Sequence, residues 1–394
     1  MKKLNIKFSF KDFINYALVL ALLIYGMVLL NTGALRSSTA TLLAQMGYSI
    51  ILAVSLNFVV GFLGELSLGH AGFMCIGAYV GGLSSIYIKD YFIASGVTGD
   101  VKLPVIIIGM LIGGAVAAIF GFIIGLPSLR LKGDYLAIVT LAFGEIVRTI
   151  FRNQDIFGGA KGLTTGSLTY DTRRAPTLFI VTFIVALIML IVIQNLVKSK
   201  HGRAITAIRD NEIAAKAMGI NVTFYKLFVF IVAAFFAGCA GVIYAHTTTP
   251  VLYSFFSYNY SIEILVMVVL GGMGSISGSI IAAVFITGIN FVLQSQLSGD
   301  LASLRNVVYA MILIVVVVFG NAPALKGFRE RYSLGALFAK FSSKKKHDPS
   351  KQKDNEAKWA RIPTKIKMDA ILSTDLNTNP NSLGGNNTSG KEGK

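Results

Sequence analysis

"PVIIIGMLIGGAVAAIFGFIIGL", residues 104–126, runs for 23 residues without a charged side chain. Coiled as an α-helix at 1.5 Å per residue it is about 35 Å long, enough to cross a hydrocarbon core of about 30 Å. A water-soluble domain has no use for such a helix. The same criterion, applied outward along the chain, yields nine more stretches: Phe13 to Leu30, Ala40 to Val60, Leu68 to Ile88, Tyr135 to Phe151, Thr177 to Val197, Phe224 to His246, Leu252 to Leu270, Ile276 to Leu293 and Leu304 to Gly320. The reading is an all-α polytopic membrane fold of about ten helices. The third, eighth and ninth stretches contain Gly, Ser or polar aromatics and read as tilted, broken or partly re-entrant. Nothing like Ala-x-Ala follows the first, which is expected to stay as an anchor and not to be cleaved.

The composition agrees. Of 394 residues 54% are apolar and 14% charged, against roughly 25% charged in a soluble protein. A cytosolic enzyme, a nucleic-acid-binding domain and a disordered scaffold are excluded for the chain as a whole. The net charge of +17 is concentrated in residues 1–12, in residues 321–394 and in a few loops, while residues 13–320 hold only 28 charged side chains. It therefore reads as topology and not as a footprint for an acidic ligand. Three divisions follow: a short N-terminus (1–12), a transmembrane domain (13–320) and a basic tail (321–394). The tail is rich in Lys, Asn, Ser and Gly and reads as mostly disordered and solvated, with anionic-lipid binding or regulation as the alternative.

Basic loops orient the bundle. Lys2, Lys3, Lys7 and Lys11, the Arg130/Lys132 loop, the loop 198–223 and the tail are separated by even numbers of the predicted spans, so all belong on the cytoplasmic side. The loop 152–176, with Arg152, Lys161, Arg173 and Arg174, is the exception and would face outward. Small residues four apart occur at Gly77/Gly81, Gly109/Gly113, Ala117/Gly121, Gly121/Gly125, Ala237/Gly241 and Gly274/Gly278. As a set they indicate close helix packing.

Catalytic signatures are missing. No G-x-x-x-x-G-K-[ST], H-E-x-x-H or G-x-S-x-G occurs, and Cys75 and Cys239 have neither a CxxC nor a histidine at metal-ligand spacing. The chain is not expected to be an enzyme or to bind a cofactor or metal. Energy from a nucleotide has to come from a partner.

The most informative loop is "KSKHGRAITAIRDNEIAAKAMGINVTFYK", residues 198–226. Within it Asn211 to Met218 can form two helical turns, with Asp210 as N-cap, Glu212 in the first turn, Lys216 in the last and Gly219 in the left-handed position after the end. Ile213, Ala214, Ala217 and Met218 form one small apolar face. It suits either a groove in another protein or this protein's own bundle.

Glu212-x-Ala214-Ala215-x-x-x-Gly219 resembles the "EAA" loop by which permeases of ABC importers engage their ATPase subunits. "LSLGHAGFMCIGAYVGG" (66–82), "LRLKGDYLAIVTLAFGEIVR" (129–148), "GGAKGL" (158–163), "GRAITAIRDNEIAAKAMGINVTFYKL" (202–227) and "VLGGMGSISGSIIAAVFI" (269–286) together resemble the LivM-type permease of branched-chain amino acid importers, over about residues 45–320. The resemblance implies a type II-like ABC importer permease in a bacterial inner membrane. It further implies a second homologous permease, two cytoplasmic ATPases that hold the ATP, and an extracytoplasmic solute-binding protein. Asp210, Glu212, Ala214, Ala215 and Gly219 would then couple to the ATPase. Urea and short amides, or other neutral amino acids, are rival substrates, and a stand-alone secondary transporter is the rival class.

Charged and polar residues in or beside the spans are candidates for the translocation path, since burying a charge in lipid costs about 2.5–3.5 kcal/mol. Glu145 and Arg148 share a helical face and read as a structural pair or as a solute contact. Glu263 has no partner nearby in sequence and would meet a cation elsewhere or face the path. Glu65 and His70 flank the turn into the third stretch, where His70 reads as a packing histidine or a cavity wall. Gly69, Gly72, Gly271, Gly272, Gly274 and Gly278 are candidate hinges or tight packing points.

Overall fold

The computed structural model describes residues 10–32, 37–95, 102–128, 131, 133–166, 168, 177–296, 310, 311 and 314. The expected tenth span, except those last three positions, most of the N-terminal segment and the whole tail lie outside the described residues.

Every named element among the described residues is a helix, with short connections between them. It runs α1 (Phe10–Asn31), α2 (Ser37–Asn57), α3 (His70–Ile76), α4 (Gly82–Ala94), α5 (Lys102–Ser128), α6 (Asp134–Asn153), α7 (Thr177–Lys198), α8 (Lys200–Asp210), α9 (Glu212–Ala217), α10 (Val222–Thr247), α11 (Tyr258–Gly271) and α12 (Ile276–Gln296). A π-helical turn, Phe58–Leu63, prolongs α2, and another, Gly77–Gly81, joins α3 to α4. Six of the resulting helical runs are long and apolar enough to cross a membrane, while the apolar parts of α1 and α11 are shorter. Among the described residues this multi-pass membrane architecture shows fewer apolar spans than the ten expected: the tenth lies almost wholly outside them, the apolar part of α1 is short, and two further stretches differ for local reasons. The fifth stretch becomes α6, which carries Glu145, Arg148 and Arg152. The eighth opens as a 3₁₀ turn, Tyr253–Phe256, and its α-helix begins only at Tyr258. The third is not broken: His70–Ala94 is one helical run that passes through the π turn at its glycines.

Helix α2 is the axis: 94% of its spanning window is buried, against 39% for α5. Helix α5 turns Ile107, Leu111, Ile119 and Ile123 outward and its glycines inward. These glycines form a seam with α10 and the π turn at 77–81. A Cβ on Gly238 would come within 2.7 Å of the Ala117 methyl, and one on Gly113 within 2.6 Å of Val242. The small-residue pairs thus close an intramolecular helix contact.

Between Leu63 and His70 the backbone leaves the helix, and neighbouring side chains satisfy its polar groups, as burial requires. Leu68 N donates to Thr140 Oγ1 at 3.0 Å, and Ala71 N donates to Ser261 Oγ at 3.1 Å.

Candidate functional site

Two places on this framework have the character of a site: a polar cleft between helices, and the segment α8–α9.

The cleft, of about 700 Å³, lies between α2, α11 and α12. Each helix contributes a polar stripe at helical spacing: Gln45, Tyr48 and Ser49 from α2; Asn259, Tyr260 and Glu263 from α11; Thr287, Asn290 and Gln294 from α12. Positions three and four apart share a face of a helix, so otherwise apolar spans place their polar residues on one wall. Asn290 Nδ2 donates to Glu263 Oε1. Thr287 Oγ1 is buried and makes no hydrogen bond. Tyr244 stacks on Phe255 at 4.4 Å, and Phe255 meets Tyr260 at 4.5 Å, so one side of the cleft is aromatic. Among its described lining residues Glu263 is the one ionisable carboxylate, and none is basic. Such a surface suits a solute with an ammonium group and disfavours an anion.

The second place is the segment after α7. Two consecutive helices replace the expected loop with its one short helix. Ser199 Oγ accepts from His201 N and Gly202 N and so caps α8. Helix α8 runs through Asp210, which is therefore a helical residue, paired with Arg209 at 3.1 Å, and not an N-cap. The cap of α9 is Asn211, whose Oδ1 accepts from Ala214 N at 3.0 Å. Gly219 has the left-handed conformation expected of it, with φ +79°. Ile213 and Met218 are 78% and 82% exposed, with Ala214 and Ala217 beside them, whereas Ala215 is buried against the bundle. The apolar face therefore points away from the protein.

Glu212 pins this helix from below. Its carboxylate accepts from Lys216 Nζ at 2.7 Å and from Lys226 Nζ at 3.1 Å. These bonds, that from Lys216 first, hold its pKa below the ordinary 4.5 against the opposing effect of partial burial. Lys226, 4% exposed at the start of α10, also pairs with Glu65. Arg209 Nη1 donates to Gly61 O at 3.0 Å, inside the π turn that ends α2. A second cavity, of about 600 Å³, lies between residues 63–66, Gly133–Asp134 and residues 208–213.

Of the five residues expected on the path, Glu263 alone lines the cleft. Glu65 belongs to the Lys226 cluster. His70 is buried, its Nε2 2.8 Å from Ser55 Oγ, in a packing role. Glu145 and Arg148 form the anticipated ion pair at 2.6 Å, and Glu145 Oε1 also accepts from Tyr258 N at 3.1 Å. The glycines are contact points. A Cβ on Gly69 would strike the Thr140 carbonyl, one on Gly72 would lie 2.8 Å from Gly144 Cα, and Gly271 and Gly278 meet backbone to backbone. Gly272 (φ +89°) and Gly274 (φ +82°) turn the chain between α11 and α12 in the region that favours glycine.

Sequence reasoning passed over the polar stripes and Lys226. The stripes were detectable as polar residues at i, i+3, i+4 and i+7 in apolar spans. Lys226 gave no such signal, since a lysine at the mouth of a span reads as an ordinary flanking charge.

Residues 38–317 match the family described as the permease component of branched-chain amino acid transport systems. The chain is 32% identical over 353 residues, 82% of its own length and 77% of the relative's, to the high-affinity branched-chain amino acid transport system permease protein LivM of Salmonella typhimurium. Identity to LivM of Escherichia coli is 37% over 265 residues, 60% of this chain and 59% of the relative. To LivH of Salmonella typhimurium, a permease protein of the same kind of system, it is 22% over 287 residues, 68% of this chain and 88% of the relative. No solved structure matches the chain.

Proposed function

The chain belongs to the branched-chain amino acid transport permease family, and from that premise we propose that it is the membrane subunit of an ATP-driven importer that carries leucine, isoleucine and valine into the cytoplasm. The relatives' names support the substrate class, and the cleft supports it chemically. A zwitterionic amino acid brings one ammonium group, for which Glu263 is the counter-charge, and an aliphatic side chain, which Ile262, Val266 and Phe291 can cover. Thr287, whose hydroxyl has no partner in the protein, is placed to bind the solute or a water that travels with it.

The observation that carries the reading is the outward apolar face of α9, held on a rigid footing by Glu212. Bulky apolar side chains at 78% and 82% exposure on a capped helix favour a groove in a partner. That partner is an ATPase subunit, one of two on the cytoplasmic side. A second permease subunit, homologous to this one as LivH is to LivM, completes the path, and a solute-binding protein delivers the amino acid from outside. On this reading α8–α9 and both termini lie in the cytoplasm of a bacterial inner-membrane protein. The ATPases bind and hydrolyse the ATP, and the permease has no chemistry of its own to perform.

The test is pull-down of the ATPase subunits by the tagged permease. Ile213→Asp with Met218→Asp should abolish co-purification and uptake while the permease still folds in the membrane. Retained co-purification would remove α9 from the docking role.

A further inference from the structure

We propose that Lys226 is a positioning residue for transport: it clamps α9 to the end of α2 and so passes movement of the docked ATPase to the walls of the cleft. The inference rests on the permease reading above.

The physical basis is a continuous series of contacts. Lys226 Nζ bonds Glu212 on α9 and Glu65, just beyond the π turn of α2. Arg209, at the end of α8, bonds the Gly61 carbonyl within that turn, and its side chain fills the space beside Gly64, where a Cβ would lie 2.6 Å from Arg209 Cγ. On its other side, Gly61 packs on the backbone of Gly274. Asn57, one turn earlier, holds the same α11–α12 turn: its Oδ1 accepts from Gly274 N at 2.9 Å and its Nδ2 donates to Ser275 O at 3.1 Å. Helices α2, α11 and α12, all fastened at this junction, are the three that line the cleft.

The junction is built on a π turn, a wider helix with poorer bonding that often marks functional positions. The choice of lysine points the same way. Burying an ammonium between two carboxylates adds little stability over apolar packing of equal volume, because desolvation offsets the attraction. What a buried ion pair adds is fixed geometry. Here it keeps a six-residue helix, too short to be stable alone, at a set distance from the bundle. Because Lys226 of α10 holds both Glu212 of α9 and Glu65 just beyond the π turn of α2, a push on the apolar face of α9 reaches both helices together.

The experiment uses the assembled importer, permease pair with both ATPases, in proteoliposomes with its binding protein, and reads amino acid taken up per ATP hydrolysed. Lys226→Met and Glu65→Gln should keep the ATPases bound and ATP hydrolysis running, while uptake per ATP falls about fivefold or more. Lys226→Arg, which keeps the charge, should stay within about twofold of the wild type. If Lys226→Met fails to assemble, Glu65→Gln decides, since it leaves the Lys226–Glu212 pair intact. Wild-type uptake per ATP in Glu65→Gln, or a loss of hydrolysis and uptake in equal proportion, would overturn the clamp. Failure of the wild-type chain to hold any ATPase would overturn the permease reading instead.

Discussion

The side-chain amide of Asn57 and the backbone of Gly274, 217 positions apart in sequence, are joined by a 2.9 Å hydrogen bond at the turn between α11 and α12. The other end of the same amide bonds Ser275 O. One fully buried polar side chain thus closes the α11–α12 turn onto α2. Asn57→Leu removes both bonds and leaves the half-buried Gly274 N–H without its acceptor, at about 1–3 kcal/mol, while Ser275 O keeps its bonds from Ser279 N and Oγ. The variant should melt well below the wild type in detergent, as followed by intrinsic fluorescence, and an unchanged midpoint would show that the turn holds itself.

Two glycines at helix ends should respond very differently. Gly278→Ala forces a methyl into the Gly271 backbone, where nothing flexible can give way, and should prevent the two helices from closing. Gly219 has open space around it, so Gly219→Ala meets only the cost of φ +79°, about 1–2 kcal/mol. Membrane yield and thermal midpoint of the two variants separate these cases, and equal losses would contradict the packing described.

The Glu145–Arg148 pair is asymmetric. Arg148→Ala leaves Glu145 its bond from Tyr258 N, whereas Glu145→Ala strips both the guanidinium and that amide of their acceptor. The side chains are 29% and 28% exposed, so the ion pair itself is worth little, about 0–1 kcal/mol. Glu145→Ala is therefore expected to be the more destabilising change in a melting assay, with Glu145→Gln, which keeps an acceptor, between it and the wild type.

Attachment of α9 should weaken in acid. The folded-state pKa of Glu212 lies below its ordinary 4.5, so its contribution is complete above that value and is lost as pH falls through the lower, folded value. Hydrogen exchange of the 212–218 amides, corrected for intrinsic rates, should lose protection on acidification below pH 4.5. Glu212→Gln should flatten this dependence.

Much of this structure was legible from local sequence. Long uncharged runs are enough to define helices in lipid, because no other open structure satisfies its own backbone there. The α9 segment was legible through its cap residues and Gly219, although the capping role passed from Asp210 to Asn211 because α8 runs through Asp210 and leaves Asn211 as the first extended residue. What local reading could not reach depends on pairs distant in sequence. Glu263 and Asn290, Lys226 and Glu65, and Asn57 and Gly274 acquire meaning only when separate helices meet.

The central claim, that this chain admits an amino acid through the α2–α11–α12 cleft under the drive of an ATPase, is tested most directly by uptake of labelled leucine. The assay uses proteoliposomes holding the full importer, with its binding protein outside and ATP enclosed with the nucleotide sites. Wild-type uptake should require ATP, persist when ion gradients are collapsed, and fall at least about tenfold in Glu263→Ala with the ATPases still bound. Leucine uptake that runs on an ion gradient without ATP, or that is unchanged in Glu263→Ala, would contradict it.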